Sequence, residues 1–319
     1  MKPLKSIAAV MLFIGLMVAS AAAQRATKLL LHRGLASGVS QSETGVHAPA
    51  GLGSNPFVLI DYPGAIANQV PYAMNDKGRV VGYAEFPDGS IKGYLLQGTT
   101  FKDIVFPGAP ATGATGISPS GTIVGVYCDD PACDSTVHGF QLKGKNYTAL
   151  DDPDGTNTSP SGVNAAGDIV GSYTGPDNIG HGFLLHKGVY TSFDAPGAGY
   201  LTSATSINKQ GQIAGFFYAP DSDHVHGFLL QNGVFTQIDY PGASGTILNA
   251  INDSGEIVGI YGDAQGGNHG FLLSGGVFTG FDAPFPGTDF TSACGLNNHH
   301  QIVGVYGQGA YDFGYLTTY

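Results

Sequence analysis

His226-Gly227-Phe228-Leu229-Leu230-Gln231-Asn232-Gly233-Val234-Phe235-Thr236-Gln237-Ile238-Asp239-Tyr240-Pro241 reads as two short apolar runs around Asn-Gly. Asn-Gly between such runs favours a two-residue primed turn, so the stretch predicts a β-hairpin. The line recurs. His181-Gly182-Phe183-Leu184-Leu185 leads to Phe193-Asp194-Ala195-Pro196, and His269-Gly270-Phe271-Leu272-Leu273 leads to Phe281-Asp282-Ala283-Pro284.

Extended over the chain, the repeat gives six units beginning at Phe57, Phe101, Tyr147, Tyr190, Phe235 and Phe278. A period in the forties that contains four short strands predicts propeller blades. Each unit supplies an aromatic-led strand ending in Asp-x-Pro, a small-residue strand ending in Asn, a Gly-x-Ile-Val-Gly strand, and the His-Gly-Phe strand. Turns such as Asn75-Asp76-Lys77-Gly78 and Asn252-Asp253-Ser254-Gly255 suit antiparallel connections. The array opens with an Asp-x-Pro strand and ends after Gly314-Tyr315-Leu316, so its first strand is spare. Pairing that strand with the last unit closes the circle and removes an open edge. The expected fold is all-β: a six-bladed β-propeller of four-stranded blades over residues 57–319. At one inner-strand position the residues are Ala73, Gly116, Gly162, Ser206, Ala250 and Gly295, small enough for strands that crowd an axis.

The N-terminus reads differently. Lys2 and Lys5, an apolar stretch from Ala8 to Val18, and Ala21-Ala22-Ala23 form a secretory signal over residues 1–23. The apolar stretch is shorter than the ~20 residues of a spanning helix. Residues 24–56 lack periodicity and read as a disordered arm. The expected location is the periplasm, the cell surface or the medium.

From Phe57 onward eight Lys/Arg face 23 Asp/Glu, a net charge of −15. That excludes the basic footprint that nucleic acid requires, and an anionic membrane would repel the domain. The 12% of charged residues leaves little for ion-pair networks, and the absence of tryptophan weighs against sugar-stacking subsites. Cys128 and Cys133 are spaced for a loop disulfide in an oxidising compartment, while Cys294 is left over.

Three sets of side chains are candidates for chemistry. A two-residue turn at Asn232-Gly233 places His226 opposite Asp239, and the same register pairs His138 with Asp151, His181 with Asp194 and His269 with Asp282. In the first unit Lys92 replaces His and Val105 replaces Asp, so the two residues vanish together. A pair repeated four times reads as a structural cross-strand contact rather than a catalytic dyad. The acidic loops on the face that carries these pairs offer Asp129, Asp130, Asp221 and Asp223 as candidate Ca²⁺ ligands, without the Asp-x-Asp-x-Asp-Gly spacing. Gln69, Thr112, Thr158, Thr202, Thr246 and Thr291 form a candidate ligand-binding ring near the channel mouth on that acidic face. Nucleophile elbows, phosphate loops, zincin motifs and dinucleotide fingerprints are absent from the sequence.

Ile251-Asn252-Asp253-Ser254-Gly255-Glu256-Ile257-Val258-Gly259 and His226-Gly227-Phe228-Leu229 resemble the repeats of the extracellular HAF-repeat family of bacteria. The chain departs from that pattern in carrying Gly for Ala after His and Asp-x-Pro-Gly-Ala in place of a Gly-rich turn. The resemblance implies export and repetition, and it brings no catalytic residues. Together these readings favour a monomeric binding or scaffold module for a protein, glycan or small molecule. The alternatives are a metal-assisted hydrolase or lactonase with its site at the acidic mouth, and a self-assembling surface protein.

Overall fold

The computed structural model describes residues 57–66, 68–130, 133, 136–220 and 224–319. The chain opens with β1 (Val58–Ile60). The first blade is β2 (Gln69–Met74), β3 (Arg79–Glu85), β4 (Ile91–Gln97) and β5 (Thr100–Ile104), numbered from the axis outward. The second is β6 (Ala111–Ile117), β7 (Ile123–Cys128), β8 (Val137–Lys143) and β9 (Asn146–Leu150). The third is β10 (Thr156–Val163), β11 (Ile169–Thr174), β12 (Gly180–His186) and β13 (Val189–Phe193). The fourth is β14 (Thr202–Ile207), β15 (Ile213–Tyr218), β16 (Val225–Gln231) and β17 (Val234–Ile238). The fifth is β18 (Gly245–Ile251), β19 (Ile257–Gly262), β20 (Asn268–Ser274) and β21 (Val277–Phe281).

The sixth blade supplies only three strands from its own repeat: β22 (Phe290–Leu296), β23 (Gln301–Gln308) and β24 (Tyr311–Thr318). β1 completes it, running antiparallel to β24 with Val58 opposite Leu316 and Ile60 opposite Gly314. The spare strand therefore closes the circle as expected. Pairing the first strand with the last blade ties the chain ends together and leaves each blade four strands wide.

The repeated Gly-x-Ile-Val-Gly and Gly-aromatic motifs have one steric cause. The second glycine of the former stands opposite the aromatic residue of the latter, as in Gly125↔Phe140 and Gly215↔Phe228. A Cβ on Gly125 would lie 2.2 Å from Gly113 O and 2.8 Å from the Phe140 ring. Lacking that carbon, the ring lies across the sheet and fills the space between blades. Tyr94, Phe140, Phe183, Phe228, Phe271 and Tyr315 occupy this position, and all are at most 1% exposed. Burying each contributes about 1.5–3 kcal/mol. One apolar cluster sits at each blade junction, for example Val81, Ile104, Ala114 and Phe140 between the first and second blades. Here Ile104 belongs to the first blade, and Phe140 reaches back to it from the second.

Each inner strand carries a β-bulge at the same position, where Tyr72, Thr115, Ser161, Thr205, Asn249 and Cys294 are the extra residues, and β10 has a second register shift between Thr156 and Ser159. A bulge sharpens the local twist and re-aims the following residue. That following residue is the small one of the sequence pattern. A Cβ on Gly162 would stand 2.9 Å from Ser206 Cα, and one on Gly295 2.9 Å from Ala73 Cα. Neighbouring inner strands thus approach backbone to backbone around the axis.

Candidate functional site

The strand order puts two kinds of loop on each face. The acidic face carries the links between second and third strands and the links between blades. The opposite face carries the Asn turns and the Asn-Gly-type hairpins; Asn232 and Gly233 both have positive φ there, 51° and 78°, as a primed turn demands.

On the acidic face the ladder ends at Gly182↔Phe193, so His181 and Asp194 meet at the next position, with Nδ1 2.9 Å from Oδ1. The equivalent distances are 3.1 Å for His138–Asp151, 2.9 Å for His226–Asp239 and 2.8 Å for His269–Asp282. Three of these rings also meet a second carboxylate, which the sequence reading missed. His138 Nε2 lies 3.3 Å from Asp129, His181 Nε2 3.2 Å from Asp177, and His269 Nε2 3.2 Å from Asp263. The signal was a carboxylate four to nine residues ahead of each His, in a loop whose length varies. Each imidazole packs on a ring of the neighbouring strand, such as Tyr127 for His138 at 5.1 Å.

A carboxylate on each side favours the imidazolium. Burial of the His181 ring opposes the charge, but hydrogen bonds to Asp177 and Asp194 outweigh it and raise its pKa. For His269 the Asp282 hydrogen bond leads, and the pKa is again raised. Asp177 is held below the usual carboxylate range by the Ile179 N–H and by His181. In the first blade Lys92 bypasses Val105 and reaches the diagonal Asp103, Nζ to Oδ2 at 3.5 Å. In the sixth the position is Phe313.

The structure places the six residues of the expected hydroxyl ring in the wall between blades. Gln69, Thr112, Thr158, Thr202, Thr246 and Thr291 are all buried there. The five Thr Oγ1 atoms accept backbone N–H groups of the preceding blade's Asp-x-Pro corner, from Phe106, Asp152, Ala195, Tyr240 and Ala283, at 2.8–3.1 Å. Gln69 Oε1 accepts the Tyr62 N–H in the same way. Buried corners need partners for their N–H groups, and these side chains supply them. Asp129 is engaged with His138, Asp130 lies beside it in the loop, and Asp221 and Asp223 fall outside the described residues. Cys128 and Cys133 form a disulfide with Cα atoms 5.2 Å apart, and Cys294 is a buried thiol whose pKa is pushed up to about 12 by burial.

The acidic end of the channel is packed with apolar side chains. One cluster joins Cys128 and Val137 of the second blade to Leu201 and Val225 of the fourth and Ile247 of the fifth. The other end is open. There a belt of asparagines links the blades: Nδ2 of Asn164, Asn208, Asn252 and Asn297 donates to the main-chain oxygen of Asn208, Asn252, Asn297 and Asn75. Asn75 donates to Ser118 O at 3.0 Å. Each Oδ1 meanwhile accepts N–H groups two and four residues on, as Asn252 does from Ser254 and Glu256. The belt lacks one link because the second blade has Ser118. That junction keeps the bulge-residue bond, Thr115 Oγ1 donating to Pro160 O at 2.6 Å, which Thr205 and Asn249 also make at their junctions.

Inside the belt lies a cavity of about 100 Å³ bounded by all six inner strands. Its floor includes the bulge residues Tyr72, Thr115, Ser161, Thr205, Asn249 and Cys294. Its rim is unequal. Asn298 donates from Nδ2 to Asp76 Oδ2 at 2.9 Å and to Asp253 Oδ2 at 3.3 Å, and Lys209 Nζ stands 3.7 Å from Asp253 Oδ2. The second and third blades put Pro119 and Ala165 in the corresponding places. Sequence reasoning gave the Asn residues a role in turns but none between blades, because their partners lie about one repeat away.

Comparison with solved structures fits this geometry. TolB from Acinetobacter baumannii aligns with a TM-score of 0.55 at 11% identity, covering 75% of this chain and 63% of that one. The chain thus spans less than two thirds of that protein's length. A putative TolB from Agrobacterium tumefaciens gives 0.53 at 13% identity, over 80% and 91% of the two chains. The Aleuria aurantia lectin, a fungal lectin with a six-bladed β-propeller fold and a novel mode of fucose recognition, gives 0.50 at 12% identity, over 82% and 93%. The fold is a six-bladed β-propeller. At these identities the likeness reaches the propeller architecture alone. No protein-family model matches the propeller sequence, and no curated protein does. Among the described residues no helix is long and apolar enough to cross a membrane.

Proposed function

We propose that this protein is an exported binding module whose ligand enters the cavity at the Asn mouth of the propeller. The carrying observation is the inequality of that mouth. The other repeated polar sets are spent within a blade, as the His–Asp pairs are, or between blades, as the Thr hydroxyls and the Asn belt are, whereas Asp76, Asp253, Lys209 and Asn298 break the repeat around an open cavity. A scaffold built from near-identical blades gains specificity where the blades differ. Export is supported by the signal-like residues 1–23, by the resemblance to extracellular HAF repeats and by the Cys128–Cys133 disulfide.

The test is a thermal-shift screen of residues 24–319 against sugars, polyols, amino acids, nucleotides, Ca²⁺ and inorganic anions, repeated on Asp253→Asn. A ligand bound only by the folded state at 100 times its Kd adds about 2.7 kcal/mol. A compound that raises Tm in the parent and not in Asp253→Asn supports the reading. If every stabilising compound acts equally on both proteins, or none stabilises, the Asn mouth is not a binding site.

A further inference from the structure

We infer that the corner between the second and third blades binds a small organic monocation, an ammonium or methylammonium group, between Asp152 and the Tyr173 and Tyr190 rings. This place lies on the face opposite the Asn mouth and is independent of what binds there.

The corner after each outer strand packs against the next blade, and it normally does so with a ring. Phe106 stacks on Tyr127 at 3.8 Å and meets Phe140 at 6.1 Å and Tyr147 at 5.6 Å. Tyr240 stacks on Tyr261 at 3.6 Å, and Tyr62 packs on Phe86 and Phe101. Where the corner residue is Ala195 or Ala283, the ring comes from two residues earlier: Phe193 meets Phe235, and Phe281 meets Phe57. The corner of the second blade has Leu150 and Asp152 at these two positions and supplies no ring. By register its walls are Tyr173, Phe183 and Tyr190, the counterparts of Tyr127, Phe140 and Tyr147.

A carboxylate therefore stands where the sister corners place a hydrocarbon ring. Asp152 is 2% exposed, and its Oδ1 accepts the Asp154 N–H at 3.0 Å. Its Oδ2 is buried with no hydrogen-bond partner among the described residues, and so is the Tyr190 hydroxyl across the junction. A buried carboxylate is costly without a counter-charge, and the negative faces of aromatic rings add to that cost. Burial raises the pKa of Asp152 and pushes the Tyr190 hydroxyl up to about 12, with the Asp152 and Asp151 charges acting on Tyr190 in the same direction.

One monocation relieves both conditions, since it pairs with Oδ2 and is attracted to the ring faces. Anions are disfavoured, because the charges of Asp151, Asp154 and Asp194 reach the same two rings. Ca²⁺ takes about 6–8 oxygens, whereas this place offers one free carboxylate oxygen and one phenol. A Cβ on Gly155 would stand 2.5 Å from Tyr173 Cδ2, so the main chain lies against that ring and limits the ligand to a few heavy atoms.

The experiment is scanning calorimetry of residues 24–319 at constant ionic strength, with NaCl replaced by ammonium chloride, methylammonium chloride or KCl. Nα-acetyl-lysine amide is the side-chain probe. Methylammonium is expected to raise Tm saturably by roughly 2–4 °C over NaCl. Asp152→Phe, which restores the ring of the sister corners, should abolish the rise, and Asp152→Asn should do so without the change of shape. Tyr190→Phe should weaken the apparent affinity several-fold, while Asp263→Asn in the fifth blade should leave it intact. A rise from Nα-acetyl-lysine amide as well assigns the place to a lysine side chain, and a rise confined to ammonium and methylammonium assigns it to a free amine; both uphold the inference. A response to KCl alone overturns the organic class. A Tm that ignores every probe means that water alone serves Oδ2, and a rise that persists in both Asp152 variants places the cation elsewhere; either result overturns the inference.

Discussion

Asn297 donates a hydrogen bond from Nδ2 to the main-chain oxygen of Asn75 at 3.3 Å, although 222 residues separate them in the chain. The same bond joins neighbouring repeats elsewhere in the belt at separations of 43 to 45 residues. Ring closure therefore uses two devices, the β1–β24 pairing at the rim and the Asn belt at the axis.

Asn252 makes four of these contacts, donating to Glu256 Oε2 and Asn297 O and accepting from Ser254 and Glu256. Truncating it strands buried backbone donors. Asn252→Ala should lower stability by roughly 2–4 kcal/mol in urea titration. Ser118→Asn should do the reverse, supplying the missing link and adding roughly 0.5–1.5 kcal/mol. A loss of stability in Ser118→Asn would show that the Thr115 bond already saturates that junction.

The bracketed histidines set a pH dependence. His181 and His269 have raised pKa values in the fold, so their stabilisation is fully present below the unfolded value near 6.5. It is lost as pH rises through the folded value. Asp177 and Asp263 are lowered, so their share is present above about 4 and lost as pH falls through the folded value. The melting temperature should therefore fall between pH 6 and pH 8.5, and the double variant His181→Phe with His269→Phe should flatten that slope. An equal slope in parent and variant would assign the dependence to other groups.

Two carboxylates act in the opposite sense to Asp177 and Asp263 and in the same sense as the histidines. Asp312 is pushed up to about 6 by burial, and Asp152, 2% exposed with Oδ2 unpartnered, is also raised by burial. A raised carboxylate binds its proton more tightly when folded, so stability falls as pH climbs through its range and stays lower above it. Asp312→Asn should stabilise the protein by on the order of 1–3 kcal/mol at pH 7.5 and leave it unchanged at pH 4. Asp152→Asn should show the same sign. Guanidinium titrations at the two pH values measure both.

Removing the Cys128–Cys133 bond frees a loop of few residues in the unfolded chain. The entropy of so short a loop is worth roughly 2 kcal/mol. Cys128→Ser with Cys133→Ser should lower stability by about that amount, and reduction of the parent should match it. Parity between reduced and oxidised parent would mean the loop is already fixed by packing.

Much of the local architecture was legible in the sequence. The Asn232-Gly233 turn fixed the hairpin register, and that register brought His226 to Asp239. Thr202 is buried, and its hydroxyl accepts the Ala195 N–H. The bulge at Thr205 lies between that hydroxyl and the Asn208 belt, and no residue pattern announces a bulge. Asp177 was seen only as a loop carboxylate, since the loop ahead of each His varies in length and spacing gives no fixed partner.

The sequence by itself determined the six repeats, the four strands in each and the strand left over to close the ring. Alternation and turn chemistry are local, and a repeat displays its own period. Only the tertiary structure decided which polar residues remain available. The Thr hydroxyls, the His–carboxylate brackets and the Asn amides are satisfied by atoms elsewhere in their own blade or one blade away, whereas the Asp76–Asn298–Asp253–Lys209 arc borders a cavity. That division depends on how closely adjacent inner strands approach and where each bulge turns its residue. Both follow from contacts between repeats, which composition and spacing do not encode.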